Sequence, residues 1–138
     1  MKESIREALA RRQPAAVRKA VRSGRTWARG KGSQPRMLPS FLILGGQRCG
    51  TTSLYRYLSE QPNVHPALVK EIQYFTVNYT KGEQWYRSNF PPDSQGGQSF
   101  DASPYYLFHP LAAQRAATLL PEARLIVLVR NPVDRAFS

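Results

Sequence analysis

One segment limits the folds open to this chain more than any other. Phe41-Leu42-Ile43-Leu44 is a short apolar run, and Gly45 and Gly46 end it. Such a run is consistent with a buried strand. A few residues on, Thr51 or Thr52 is placed to cap a helix, and Leu54, Tyr57 and Leu58 give that helix an i, i+3, i+4 face. The order is strand, glycine-rich loop, helix. Glycines let the loop backbone curl so that successive N–H groups point inward, and the helix start adds partial positive charge. The expectation is a phosphate-like anion held by Gly46, Gln47, Arg48, Cys49, Gly50, Thr51 and Thr52.

The spacing is close to the G-x-x-x-x-G-K-[ST] loop of nucleoside triphosphatases, but Thr51 stands where the lysine would be. That lysine reaches the outer phosphates. Here a cation lies inside the loop instead, at Arg48. The pattern argues against a triphosphatase and for a different anion. Two other readings stay open: a tight strand-to-helix turn with no ligand, and a P-loop nucleotide kinase.

Downstream, residues 61–100 read as irregular and rich in turns, with Trp85, Tyr86 and Phe90 packing a short helix onto the body. Pro110 fits the first position of a helix that runs from Leu111 to Leu120 and stops before Pro121. Leu125-Ile126-Val127-Leu128-Val129 is a continuous apolar run with β-branched members and reads as a second buried strand. Strands alternating with helices imply an α/β fold with a parallel sheet.

Charge divides the chain. The formal net charge is +11, and residues 1–36 carry eleven Lys and Arg against two Glu. This basic stretch reads as an arm, partly helical or disordered, ahead of a globular part spanning 37–138. It is a solvated tail or a contact for a polyanion such as a sulfated glycan, nucleic acid or lipid headgroups. No pattern of interleaved aromatics points to nucleic acid. Cys49 is the single cysteine, so no intrachain disulfide forms. No apolar run approaches the roughly 18 residues of a membrane span. The N-terminus lacks an apolar signal region, although its Arg-rich, acid-poor start is weakly like an organelle transit peptide. A cytoplasmic chain is expected.

Pro39 to Leu54, read as a whole, resembles the 5′-phosphosulfate loop of sulfotransferases. Leu125 to Ser138, with Arg130-Asn131-Pro132-Val133-Asp134-Arg135-Ala136-Phe137-Ser138, resembles that family's second signature, a strand followed by R-x-P-x-x-R-A-x-S. Both occur in the expected order. The resemblance covers residues 37–138 and implies the sulfotransferase fold, a P-loop-like parallel sheet flanked by helices. It implies the donor PAPS (3′-phosphoadenosine 5′-phosphosulfate) and no requirement for a metal. The loop would hold the 5′-phosphosulfate, and Arg130 with Ser138 the 3′-phosphate. The family usually has lysine where Arg48 stands; both are cations, but arginine is a planar fork and lysine a mobile point charge. Arg135 is left between the donor site and a structural pairing.

Between the signatures, Lys70-Glu71-Ile72-Gln73-Tyr74-Phe75, then Trp85-Tyr86-Arg87-Ser88, then Asp101-Ala102-Ser103-Pro104-Tyr105-Tyr106 are similar to the heparan-sulfate class. In that class the glutamate of the Lys-Glu pair is the general base, which implies Glu71 as base. It also implies a hydroxyl-bearing or amine acceptor on a carbohydrate. Members of the class often have histidine where Gln73 stands and an acid where Thr76 stands. Glu71 as a surface carboxylate is the competing reading. Lys70 contacts donor, acceptor or solvent. His65 and His109 lack metal-ligand spacing and read as loop residues. Family members normally continue well past the second signature, so the domain is expected to be truncated there, and a non-catalytic PAPS- or PAP-binding fragment is the alternative to an enzyme.

Overall fold

The computed structural model describes residues 34–137. The expected basic arm lies outside the described residues up to position 33. Pro35 and Arg36 belong to the described unit: the Asp93 N–H donates to the Pro35 carbonyl, and Arg36 Nη1 donates to the Phe90 carbonyl at 2.8 Å.

Phe41–Gly45 is a strand, β1, and its alternation sets the layers. Phe41 and Ile43 point to one face of the sheet, Leu42 and Leu44 to the other. After β1 come α1 (Thr51–Ser59), β2 (Val64–Pro66), α2 (Glu83–Arg87), β3 (Gln98–Ala102), α3 (Ala112–Leu119), β4 (Arg124–Leu128) and α4 (Pro132–Ala136). The sheet order is β2-β3-β1-β4 and every pairing is parallel. Phe41 lies level with Phe100 on one side and with Arg124 on the other.

Phe41, Ile43, Phe100 and Ala102 form one core face, covered by Leu54, Tyr55 and Leu58 of α1 and closed by Ile126 and Leu128. The Phe41 and Phe100 rings stack with centroids 5.2 Å apart. The other face is aromatic. Leu42, Ile72, Tyr74, Phe75, Tyr86, Phe90 and Tyr106 pack there with Ala112 of α3 and Leu120 just after it. Tyr74 stacks on Tyr86 at 4.3 Å, and Phe75 meets Tyr86 and Tyr106 edge-on. Burying each such ring contributes about 1.5–3 kcal/mol. No helix among the described residues is long and apolar enough to cross a membrane.

The parallel α/β sheet agrees with the sequence reading, as do β1 and the packing of Tyr86 and Phe90. Other expectations change. The stretch read as irregular holds β2 and β3, and β3 is the direct neighbour of β1. His65 therefore sits in a strand, its Nε2 3.0 Å from the Gly96 carbonyl. Tyr57 is 66% exposed, and Tyr55 takes its place against the core. Pro110 lies ahead of α3, whose cap is Leu111. β4 is not buried: it forms the sheet edge, leaving Leu125 and Val127 exposed.

Candidate functional site

The loop after β1 is built by left-handed backbone. Arg48 has φ 63° and Gly50 φ 92°. Between them the Cys49 N–H donates to the Gly46 carbonyl at 3.2 Å. A Cβ on Gly46 would come within 2.6 Å of Cys49 Sγ, so a larger residue there would have to displace that side chain. The Gly46 N–H donates to the Leu128 carbonyl, which ties the loop to the end of β4. No threonine caps α1. Gly50 is the cap residue, and its carbonyl accepts the Ser53 and Leu54 N–H groups at 3.1 Å each. Thr51 is the buried first helical residue and Thr52 is exposed. The first amides of a helix have no intrahelical acceptor and carry the positive end of its dipole. A tight glycine turn followed by such amides fits an anionic group of phosphate size.

The second signature closes on this loop. Arg130 Nη1 donates to the Arg48 carbonyl at 3.4 Å, and Arg135 Nε donates to the Gln47 carbonyl at 3.1 Å. Arg135 thus clasps the loop backbone. α4 starts with Pro132 in its first turn and Asn131 Oδ1 accepting the Val133 N–H at 2.9 Å. Ser138 lies outside the described residues.

Glu71 emerges at the same edge of the sheet. Its N–H donates to the carbonyl of Ala102, the last residue of β3, at 3.1 Å. Ala102 is level with Ile43 of β1, so the Glu71 backbone and the loop after Gly45 lie at the carboxyl ends of neighbouring parallel strands, where open α/β sheets bind ligands. Lys70 Nζ sits 2.8 Å from Glu71 Oε1, and the Glu71 side chain is 44% exposed. Glu71 and Gln73 are also left-handed, with φ 61° and 51°. The two turns bury Ile72 between them while Glu71 faces out. The Gln73 carbonyl accepts the Thr76 and Asn78 N–H groups and Thr76 Oγ1. Arg115 Nη1 donates to the Phe75 and Thr76 carbonyls.

Beneath this segment is a polar network that the sequence reading did not find. Asp101 is wholly buried on β3. Its Oδ1 accepts from Ser103 Oγ at 2.8 Å, and its Oδ2 accepts from the Tyr106 hydroxyl at 2.8 Å and the Tyr86 hydroxyl at 3.0 Å. Burial pushes the Asp101 carboxyl above the usual carboxylate range; the three hydroxyl donors pull it down, and the charge of Glu71 adds to the rise. Burial and then the Asp101 charge hold both tyrosines above their usual value, so they remain hydroxyl donors. A lone aspartate in a short polar strand gives no sequence signal for this.

Residues 38–138 match the family model for the sulfotransferase domain. The chain is 40% identical over 107 residues to bifunctional heparan sulfate N-deacetylase/N-sulfotransferase 1 of Caenorhabditis elegans, covering 73% of this chain and 12% of that protein. It is 40% identical over 109 residues to the human enzyme 2 of the same description, again covering 73% and 12%. The membrane-associated sulfotransferase kil1 of Dictyostelium discoideum is 38% identical over 104 residues, which cover 73% of this chain and 22% of that one. Among solved structures, a sulfotransferase from Alicyclobacillus acidocaldarius matches with a TM-score of 0.63 and 35% identity, over 73% of this chain and 48% of that chain. The chain thus spans a minor part of these curated relatives.

Proposed function

We propose, from the premise that this chain belongs to the sulfotransferase domain family, that it is the donor-binding part of a PAPS-dependent carbohydrate sulfotransferase. The observation that carries this reading is the joining of the two signatures. Arg130 reaches the Arg48 carbonyl and Gly46 reaches the Leu128 carbonyl, at the sheet edge where Lys70 and Glu71 emerge. A glycan acceptor is supported by relatives described as heparan sulfate N-sulfotransferases at 40% identity.

The residues divide the work. The loop from Gly46 to Thr52 holds the 5′-phosphosulfate through backbone N–H groups other than those of Gly46 and Cys49, which bond within the fold. Arg130, with Ser138, takes the 3′-phosphate. PAPS supplies the sulfonate. Glu71 accepts the proton from the acceptor hydroxyl or amine as that oxygen or nitrogen bonds to sulfur. The bond from sulfur to the phosphate oxygen breaks, its electron pair stays on the phosphate, and Arg48 with the loop amides stabilises that charge. Lys70 orients the Glu71 carboxylate. The basic arm adds long-range attraction for an anionic glycan.

Calorimetry with PAP, the desulfonated product, and 5′-AMP as control tests the donor site. PAP should bind at least tenfold more tightly than AMP, and Arg130→Ala should remove that preference. Equal binding of the two nucleotides by folded protein would refute the reading.

A further inference from the structure

The geometry points to Asp101 as a positioning residue for the segment that carries Glu71, acting through two hydroxyls. Ser103 Oγ donates to Asp101 and accepts the Gln73 N–H at 3.1 Å. The Tyr106 hydroxyl donates to Asp101 and accepts the Tyr74 N–H at 2.7 Å. Each hydroxyl has one hydrogen. A carboxylate only accepts, so it draws both hydrogens inward and leaves both oxygens with lone pairs aimed at the backbone of 73 and 74. Asp101 thereby sets the direction of two hydrogen bonds it does not itself make.

Those bonds hold a segment that needs holding. Glu71 and Gln73 both sit in the left-handed region, which side chains longer than asparagine rarely adopt unless their surroundings fix them. The Ala102 carbonyl fixes Glu71 from the same strand that carries Asp101. Tyr86 provides an internal control. Its hydroxyl donates to the same Asp101 oxygen as Tyr106 does, while its contact with Tyr74 is ring stacking, which phenylalanine preserves. An amide at position 101 would direct N–H groups at one side of the network and turn at least one hydroxyl round.

This role rests on Glu71 being the base, so the experiment separates the two ideas. Amide hydrogen exchange is read by NMR on the full chain. Asp101→Asn should speed exchange at least tenfold at Gln73, at Tyr74 or at both, according to which side the amide N–H groups face. Ser103→Ala should do so at Gln73 alone, Tyr106→Phe at Tyr74 alone, and Tyr86→Phe at neither. With PAPS and an N-desulfated heparan oligosaccharide, Asp101→Asn should lower kcat at least tenfold with the KM for PAPS unchanged, and Tyr86→Phe should leave kcat within twofold. Exchange at Gln73 and Tyr74 within twofold of the parent in Asp101→Asn, or a Tyr86→Phe effect equal to the others, overturns the inference. Glu71→Gln is read alongside: retained turnover there would remove Glu71 as base, while the exchange pattern still decides the relay.

Discussion

Arg48, Glu71 and Gln73 are the non-glycine residues with positive φ among those described, and all three border the candidate site. Left-handed backbone costs a non-glycine residue about 1–2 kcal/mol, so the surrounding contacts must hold these turns. The expected signature is selective intolerance. Gln73→Val, which adds a branched Cβ at φ 51°, should lose about 1–2 kcal/mol relative to Gln73→Asn, because asparagine tolerates this region and valine does not. Urea unfolding of the two variants measures the difference, and equal stability would contradict it. The resemblance named Arg48, Glu71 and Arg130, and all three lie at the carboxyl edge of the sheet. Their backbone conformation was not legible, since arginine, glutamate and glutamine give no hint of a left-handed turn.

At the level of elements, legibility followed the hydrophobic pattern. β1 is apolar on both faces and could be read directly. β3 could not, because Gln98-Ser99-Phe100-Asp101-Ala102 interrupts its apolar residues with polar ones. Ser99 and Asp101 are buried because each finds a partner: Ser99 Oγ donates to the Leu38 carbonyl at 3.0 Å, and Asp101 takes three hydroxyls. Hydrogen bonding replaced hydrophobicity as the reason for burial, and periodicity has no view of that. α4 adds a second lesson. Its Arg135 is exposed, yet it bonds the Gln47 carbonyl in the loop. Losing a bond of about 0.5–1.5 kcal/mol that acts on the loop rather than the core should weaken PAP binding about 2–10-fold in Arg135→Ala, with Tm unchanged. Calorimetry and a melting curve check both halves; a large drop in Tm would make Arg135 a fold residue instead.

For the molecule as a whole, two features bear on behaviour in solution. The first is the buried Asp101. Its pKa is raised above the usual 3.8 in the folded state, so the folded protein holds this proton more tightly than the unfolded chain does. The stability it contributes is complete below about pH 3.8 and is lost as pH rises through the higher folded value. The stability gap between the parent and Asp101→Asn should therefore narrow from pH 4 to pH 7, with Glu71, Tyr86 and Tyr106 as its titratable neighbours. Urea unfolding at both pH values tests this, and a widening gap would contradict it. The second feature is the sheet edge. Leu125, Val127 and Val129 of β4 and its exit are exposed, Val129 by 84%, and Phe137 by 89%. Apolar edge strands pair readily with other chains. Val127→Lys should reduce concentration-dependent self-association, measured by sedimentation velocity, at little cost in Tm.

The bond from Gly46 to Leu128 also bears on how the site comes into being. Every strand pair of the described sheet is parallel, and β1 waits for partners near residues 100 and 126. Among the described residues no hairpin offers a local nucleus, and pairings this distant along the chain make for slow folding. The anion loop acquires its anchor only when β4 docks. During synthesis, then, the finished site arrives late: a ribosome-bound chain that has released residues 41–59 but not 124–128 can make the local turn from Gly46 to Cys49 but lacks the strand that anchors it.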